Sequence, residues 1–199
     1  MAYLDYEGKR VYSLSAQVYR IYQESSGREA VMPATYGRNN RCYFAYAAKV
    51  GGYSVVSMAD VLDGTVDSAI FRDAVVLVGA YAVGMQDSYT PAISHNSQMY
   101  GVEIHANIIE ALLEGKTQTP FSPIIYAVAA GLLCGLFFVA ARKMKMMFTG
   151  ILFALFIVLD VVFAKMMYHF GSIVPVLLFP IVLALIFLVR VVEGYLAEI

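Results

Sequence analysis

Charged residues are scarce in this chain of 199 residues, and the positive and negative ones nearly balance. Asp, Glu, Lys and Arg make up 15% of the sequence, whereas an average soluble protein contains about 25%. The formal net charge of −1 argues against a nucleic-acid partner, because phosphate binding requires an excess of Lys and Arg. With 60% hydrophobic residues, the composition indicates a membrane protein.

Cysteines are also few, and the two present, Cys42 and Cys134, cannot form a disulfide framework. Cys42 belongs to a polar region and Cys134 to an apolar run, which argues against a bridge between them. Cysteine usage therefore leaves the redox compartment open.

Motifs for catalysis and metal binding are missing. The sequence contains no Gly-x-Ser-x-Gly nucleophile elbow and no His-Glu-x-x-His motif. Glu103 and His105 are two positions apart on a predicted helix, so their side chains point to different sides and do not share a metal ion. Residues 79–84 resemble a phosphate-binding loop only superficially, since Met85 stands where lysine is needed. We expect no metal, no cofactor and no enzymatic activity in this chain.

Three apolar segments fill the C-terminal part of the chain, at about residues 124–141, 146–168 and 173–192. Each has close to the roughly 20 residues that a helix needs to cross the hydrocarbon core of a bilayer. We therefore predict a domain at residues 1–122 and a three-helix transmembrane region at residues 123–199.

The linkers between these segments predict their orientation. The first linker, residues 142–145, carries three basic residues, whereas the second, around residues 169–172, carries no Lys or Arg. Positively charged loops remain in the cytoplasm, which places the N-terminal domain outside and the C-terminus inside. Residues 1–10 have no apolar signal sequence, so we expect this chain to be an internal piece of a longer protein.

The N-terminal domain is predicted to be an α/β domain with a partial, mostly parallel sheet and flanking helices. Residues 74–79 form a continuous apolar run that ends in glycine, which is typical of a strand buried on both faces in a parallel sheet. Residues 11–25 show helical periodicity. The apolar positions of that helix are Leu14, Val18, Ile21 and Tyr22.

Residues 101–115 form the strongest helix prediction outside the membrane segments, and Gly115 suits a left-handed C-terminal position. One face of this helix is polar and the opposite face is apolar. The polar positions are Glu103, Asn107, Glu110 and Glu114. His105 lies on the apolar face, where it is interpreted as a packed ring with one hydrogen-bonded nitrogen; ligand binding or pH sensing is the alternative.

Two stretches of this domain, FRDAVVLVGAYAVGMQDSYTP and YGVEIHANIIEALLEGK, resemble the CHASE type 2 domain. The upstream stretch YFAYAAKVGGYSVVSMADVLDG and the three following apolar segments also fit that family. The positions that carry the motif are Gly79, Gly84, Asp87, Thr90, Pro91, Gly101, Glu103, His105 and Asn107. The first membrane helix of the family, its early domain and its output domain have no counterpart here.

The resemblance implies a function. CHASE type 2 domains are extracellular sensory modules of bacterial cyclases and histidine kinases. The chain is then expected to lie in the bacterial cytoplasmic membrane as a homodimer and to pass a small-molecule or environmental signal to a cytoplasmic adenylate cyclase, guanylate cyclase or histidine kinase. A membrane-anchored α/β enzyme and a structural membrane tether are the alternatives.

Candidate ligand-binding residues follow from the predicted strand at residues 74–79. Loops at the carboxyl ends of strands are where α/β sheets bind ligands. Tyr81, Asp87 and His95 lie in the segment after this strand and are the candidates for a sensing site.

Within the membrane segments, Ala127, Gly131 and Gly135 recur every four residues. Such a stripe permits close helix packing, although glycine is also common in membrane helices, so both interpretations stay open. Asp160 is a carboxyl group within an apolar segment and costs a few kcal/mol unless it is paired or protonated. It is interpreted either as a group that meets water near the outer surface or as one with a packing or proton-linked role.

Overall fold

The computed structural model describes residues 2–82, 84–94 and 96–196. The chain divides into two compact units, Met1–Thr117 and Gln118–Ile199. His95, one of the candidate ligand-binding residues, lies outside the described residues.

The first unit combines short strands with helices. Its helices are α1 (Leu14–Ser25), α2 (Met58–Leu62) and α3 (Gly101–Leu113), with a 3₁₀ turn at Ser68–Phe71. Its strands are β1 (Tyr3–Tyr6), β2 (Lys9–Tyr12), β3 (Tyr43–Phe44), β4 (Ser88–Tyr89) and β5 (Met99–Tyr100). A further strand, β6 (Thr117–Pro120), spans the boundary between the two units.

The prediction of a mostly parallel sheet is wrong. β1 pairs with β2 in antiparallel orientation, with Tyr3 opposite Tyr12. β4 pairs with β5 in the same way, with Tyr89 opposite Met99. Both are hairpins between segments that are close in sequence, and such neighbours pair antiparallel because a parallel pair needs a long crossover connection.

The predicted strand at residues 74–79 does not form. Val76 and Val78 are 53% and 75% exposed, so the run is not buried on both faces. A strand needs a hydrogen-bonded neighbour, and no strand of the described residues pairs with this segment. A continuous apolar run predicts a buried strand only where other strands surround it, and here that condition is not met.

Helix α1 begins at Leu14, because the residues before it pair as β2 with β1. The predicted apolar face is also wrong, since Leu14 and Ile21 are 58% and 55% exposed. The buried positions are Ser15, Ala16, Tyr19 and Gln23. The helix packs against α3, and its buried face combines the small residues Ser15 and Ala16 with the larger Tyr19 and Gln23.

The second unit contains three long helices, α4 (Pro123–Lys143), α5 (Met146–His169) and α6 (Leu178–Leu196). All three are long and apolar enough to cross a membrane. The third helix begins later than residue 173, because Ser172 and Ile173 form strand β7, which pairs in parallel orientation with β6. The buried core of the unit is formed mainly by α4 and α6, and Phe137 and Leu183 are its largest fully buried side chains.

Candidate functional site

The polar face of α3 binds an earlier segment of the chain, whose residues precede their partners on the helix by 52 to 59 positions. The backbone N–H of Ala48 donates to Oδ1 of Asn107 at 2.9 Å. The backbone N–H of Gly51 donates to Oε1 of Glu103 at 2.8 Å. Glu103 and Asn107 are four positions apart, so they lie on the same helix face and bind successive groups of one segment.

Glu103 is buried to 3% exposure, which a carboxylate tolerates only when it is well hydrogen-bonded. Its Oε2 accepts a second backbone hydrogen bond, from the N–H of Tyr100 at 3.3 Å. Tyr100 immediately precedes the first residue of α3, where the N–H groups have no partner within the helix. The carboxylate thus accepts hydrogen bonds from both the helix terminus and the loop, and the positive end of the helix dipole stabilises its negative charge.

Asn107 is fully buried, with 0% exposure, and both parts of its amide are used. While Oδ1 accepts from Ala48, Nδ2 donates to the carbonyl oxygen of Glu103 at 3.0 Å and lies 3.7 Å from the sulfur of Met99. A buried amide needs such partners for both its oxygen and its nitrogen. Asn107 therefore fixes the position of the loop relative to α3.

Glu110 completes the row one turn further along the helix. Its Oε2 accepts a hydrogen bond of 2.6 Å from the hydroxyl of Tyr53. Burial raises the pKa of the Tyr53 hydroxyl, and the hydrogen bond to Glu110 raises it further. The phenol therefore remains a neutral donor at physiological pH. We call these three hydrogen-bonded pairs the α3 latch: Ala48–Asn107, Gly51–Glu103 and Tyr53–Glu110.

Tyr81 and Asp87 both lie at the N-terminal end of α3. The ring of Tyr81 packs on that of Tyr100, with 4.4 Å between centroids and 42° between planes. Burial raises the pKa of Tyr81, and the negative charge of Glu103 raises it further. The carbonyl oxygen of Asp87 accepts a hydrogen bond of 3.0 Å from the N–H of Gly101. Two of the three candidate ligand-binding residues thus meet at one helix end.

The glycines of the motif permit close approach and a turn. A Cβ at Gly101 would lie 2.5 Å from both carboxylate oxygens of Asp87. A Cβ at Gly79 would lie 2.8 Å from the Cβ of Val102, so this glycine lets the segment approach α3. Gly84 adopts φ +98°, a conformation that glycine adopts at little cost.

Thr90 and Pro91 lie directly after β4 and belong to the connection towards β5. Thr90 is exposed, whereas Pro91 is buried, and the carbonyl oxygen of Pro91 accepts a hydrogen bond of 3.0 Å from the N–H of Ser94. Both residues lie in the connection between β4 and β5, shortly after Asp87.

The family model of the CHASE2 domain matches residues 1–141. The chain belongs to the CHASE2 domain family. The resemblance stated from the sequence motifs is thereby confirmed. CHASE2 domains are extracellular sensory domains without catalytic function, and here the domain accompanies three helices suited to cross a membrane. No curated protein and no solved structure shows significant similarity to the chain.

Of the α3 latch of this CHASE2 domain, only the residues on the helix were predictable from the sequence. The sequence placed Glu103, Asn107 and Glu110 on one face of α3 but did not show what they bind. The signal that was available is the Gly51-Gly52 pair upstream, because Gly51 adopts φ +73° and exposes its N–H for binding.

His105 of the CHASE2 motif links α3 to α1. Its Nδ1 lies 2.7 Å from the Oγ of Ser15, which is 1% exposed, and one of the two groups donates the hydrogen bond. The histidine ring is itself half-buried. The residue therefore ties together the two helices that form the core of this unit.

The polar and small residues of the membrane helices have different surroundings. Asp160 on α5 is 8% exposed, and its Oδ1 accepts a hydrogen bond of 2.8 Å from the hydroxyl of Tyr126 on α4. In contrast, a Cβ at Gly131 or Gly135 would meet no neighbouring atom within 4 Å among the residues that the structure describes. The small-residue stripe therefore faces away from the other described helices.

Proposed function

We propose that this CHASE2 domain is the extracytoplasmic input module of a transmembrane receptor that controls a cytoplasmic effector. A nucleotide cyclase or a histidine kinase is the effector that fits the family. Support for the orientation comes from Arg142, Lys143 and Lys145, which lie at the turn between α4 and α5. Basic loops of this kind remain in the cytoplasm, and three crossings then place residues 1–122 outside.

The observation that carries the proposal is the α3 latch. The neutral Ala48–Asn107 bond contributes about 1 kcal/mol net, and the two bonds to the carboxylates of Glu103 and Glu110 about 1.5–3 kcal/mol each, so a ligand that competes for one of them can release the segment. A ligand shifts the balance between held and released states only through a difference in affinity for the two. In this proposal the hydrogen-bonded latch is one state of the sensory domain and the released segment is the other.

We place the ligand beside the latch, at Tyr81 and Asp87. Tyr81 stays 36% exposed while its ring packs on Tyr100, so part of the ring is open to solvent. Asp87 supplies a carboxylate at the same helix end. An aromatic ring and a carboxylate together suit a small molecule that carries a hydrogen-bond donor or a positive charge.

A short connection along the chain supports transmission to the membrane. α3 ends at Leu113 and α4 begins at Pro123, so only residues 114–122 separate the latch helix from the first membrane helix. A change in the position of α3 is then passed directly along the chain. We further propose that the receptor works as a homodimer, because cyclases and kinases of this type act in pairs.

The orientation is tested by thiol labelling in intact cells with a maleimide that does not cross membranes. In a background of Cys42→Ser and Cys134→Ala, Ser26→Cys is expected to react in intact cells because residue 26 is exposed. The matched control, Met144→Cys in the turn between α4 and α5, is exposed as well and is expected to react only after the membrane is permeabilised. The reverse pattern would overturn the proposed orientation.

The signalling role is tested with a chimera. The chain is joined after residue 199 to a nucleotide cyclase domain and before residue 1 to a membrane segment that exports the sensory domain. Tyr53→Phe removes the donor to Glu110 and is expected to change basal cyclase output severalfold. Arg38→Ala, in an exposed turn, is the control and is expected to leave output unchanged. Equal output from Tyr53→Phe and wild type would contradict the role of the latch.

A further inference from the structure

Tyr126 and Asp160 form a polar pair among apolar side chains in the second unit. The hydroxyl of Tyr126, one turn into α4, donates to Oδ1 of Asp160 at 2.8 Å. Tyr126 is 5% exposed and Asp160 is 8% exposed, so both groups are removed from the surface of the bundle. Phe179 and Leu183 of α6 belong to the same buried cluster as Tyr126.

The second oxygen of the Asp160 carboxyl group is buried and has no hydrogen-bond partner among the described residues. No salt bridge within the described part of the chain involves Asp160. An ionised carboxylate in this position would be a buried charge without a counter-ion, which is strongly unfavourable. A proton on Oδ2 removes that cost.

The titratable groups on α4 and α5 do not supply the partner that Oδ2 of Asp160 lacks. From α4, Cys134 shares the buried face with Tyr126 but follows it by eight residues, roughly 12 Å along the helix axis. On α5 itself, Lys165, Tyr168 and His169 are exposed. None of these groups forms a hydrogen bond or ion pair with Asp160 among the described residues.

The charged residues of α6 act at the other end of the bundle. The Nε of Arg190 donates to the carbonyl oxygen of Ala141 at 3.1 Å, and its Nη1 lies 3.5 Å from Glu193. Ala141 follows Tyr126 by fifteen residues on α4, roughly 22 Å along the axis. Arg190 therefore contacts the opposite end of α4 and does not neutralise Asp160.

We propose that Asp160 and Tyr126 form a proton-binding site within the membrane helices, which holds a proton on Asp160 Oδ2 while α4 and α5 are in contact. A proton fits better than a metal ion, because hard cations require six or more oxygen ligands and this site offers a carboxyl group and a phenol. This inference does not depend on the ligand or effector of the sensory domain.

Proton binding is linked to the contact between the helices. When α4 and α5 separate, water reaches Asp160, the carboxylate becomes solvated and the proton is released. The closed arrangement therefore binds one proton more than the open one, so a rise in pH favours opening. The pairing of β6 with β7 closes the same end of the bundle, where the N–H of Thr119 donates to Gly171 at 2.8 Å.

Infrared spectroscopy of the full chain in lipid nanodiscs tests the site. At pH 7 the wild type is expected to show the carbonyl stretching band of a neutral carboxylic acid, because exposed Asp and Glu side chains are ionised at this pH. Asp160→Asn is expected to lose this band. Glu193→Gln, which removes an exposed carboxylate at the other end of α6, is the matched control and is expected to retain it.

A second variant keeps the test decisive if Asp160→Asn does not fold. Tyr126→Phe removes only the hydroxyl, and the acid band is expected to move to higher frequency because the carbonyl loses its hydrogen-bond donor. Raising the pH is expected to remove the band while amide exchange in α4 and α5 becomes faster. Absence of an acid band in the wild type at pH 7, or a band unchanged in Tyr126→Phe, would overturn the proposal.

Discussion

The carboxylate of Asp87 lies against the Cα of Gly101, so close that a Cβ at position 101 would be 2.5 Å from both carboxylate oxygens. The backbones of the same two residues are joined by the 3.0 Å hydrogen bond from the N–H of Gly101 to the carbonyl oxygen of Asp87. The segment that carries Tyr81 and Asp87 is thus held at the N-terminus of α3.

Gly101→Ala is therefore expected to destabilise the start of α3 by about 1–3 kcal/mol, the usual cost of overpacking. The measurement is hydrogen exchange of the α3 amides in the full chain, which reports local opening. Adding Asp87→Ala is expected to restore much of the loss, because the obstructing carboxylate is then gone. If the α3 amides of Gly101→Ala exchange as slowly as those of the wild type, the Asp87 carboxylate moves away without a cost in stability.

Asn107→Ala is expected to free residues 48–53 from α3. The change leaves the N–H of Ala48 and the carbonyl oxygen of Glu103 without their side-chain partner, which destabilises the folded state by about 1–3 kcal/mol. Faster amide exchange at residues 48–53 is the expected result. The control is Glu114→Gln, because the exposed ion pair of Glu114 with Lys116 contributes about 1 kcal/mol or less. Equal exchange in both variants would contradict a structural role for Asn107.

Tyr53 is expected to lose its phenolic proton at a higher pH than an ordinary tyrosine. Its pKa is raised by burial and by Glu110, so the folded state holds the phenolic proton more tightly than the unfolded state. The resulting stability is complete below the unfolded pKa of about 10, and it is lost as the pH rises through the folded pKa. The difference in tyrosinate absorbance between wild type and Tyr53→Phe is therefore expected to appear only at a pH above that value. A difference that appears near pH 10 would refute the Tyr53–Glu110 contact.

Gly131→Ala and Gly135→Ala are expected to leave the helical bundle intact. The added methyl groups meet no neighbouring atom within 4 Å in the described part of the chain, and alanine stabilises a helix by up to about 1 kcal/mol relative to glycine. Thermal unfolding of the single chain in detergent is the measurement. A clear loss of stability in either variant would show that these glycines pack against a helix of the same chain. A loss limited to self-association would instead support the proposed homodimer.

Part of the candidate site was predictable from sequence. The spacing of Glu103, Asn107 and Glu110 follows from helical periodicity, and Gly115 lies just after α3 with φ +67°, as a helix-ending glycine does. The sensing candidates Tyr81 and Asp87 were chosen because they were thought to follow a strand. That strand is absent, and both residues instead reach the start of α3.

The errors arise where an element depends on its neighbours. Residues 74–79 have the composition of a buried strand, but pairing partners are not encoded in the run itself. Likewise, the spacing of Leu14 and Ile21 on α1 indicated a core face, whereas packing against α3 selected the face with Ser15 and Tyr19. Periodicity shows that a helix has distinct faces, but contact with another helix decides which one is buried.

The sequence by itself determined that the chain belongs with membrane proteins and that it carries a CHASE2 motif. Hydrophobic length is a local property, and a helix of about 20 apolar residues is suited to a bilayer whatever surrounds it. Only the tertiary structure decided what the polar face of α3 binds, since its partners lie 52 to 59 residues earlier in the chain. The same holds for Tyr126 and Asp160, which are 34 residues apart and meet only because α4 and α5 pack together.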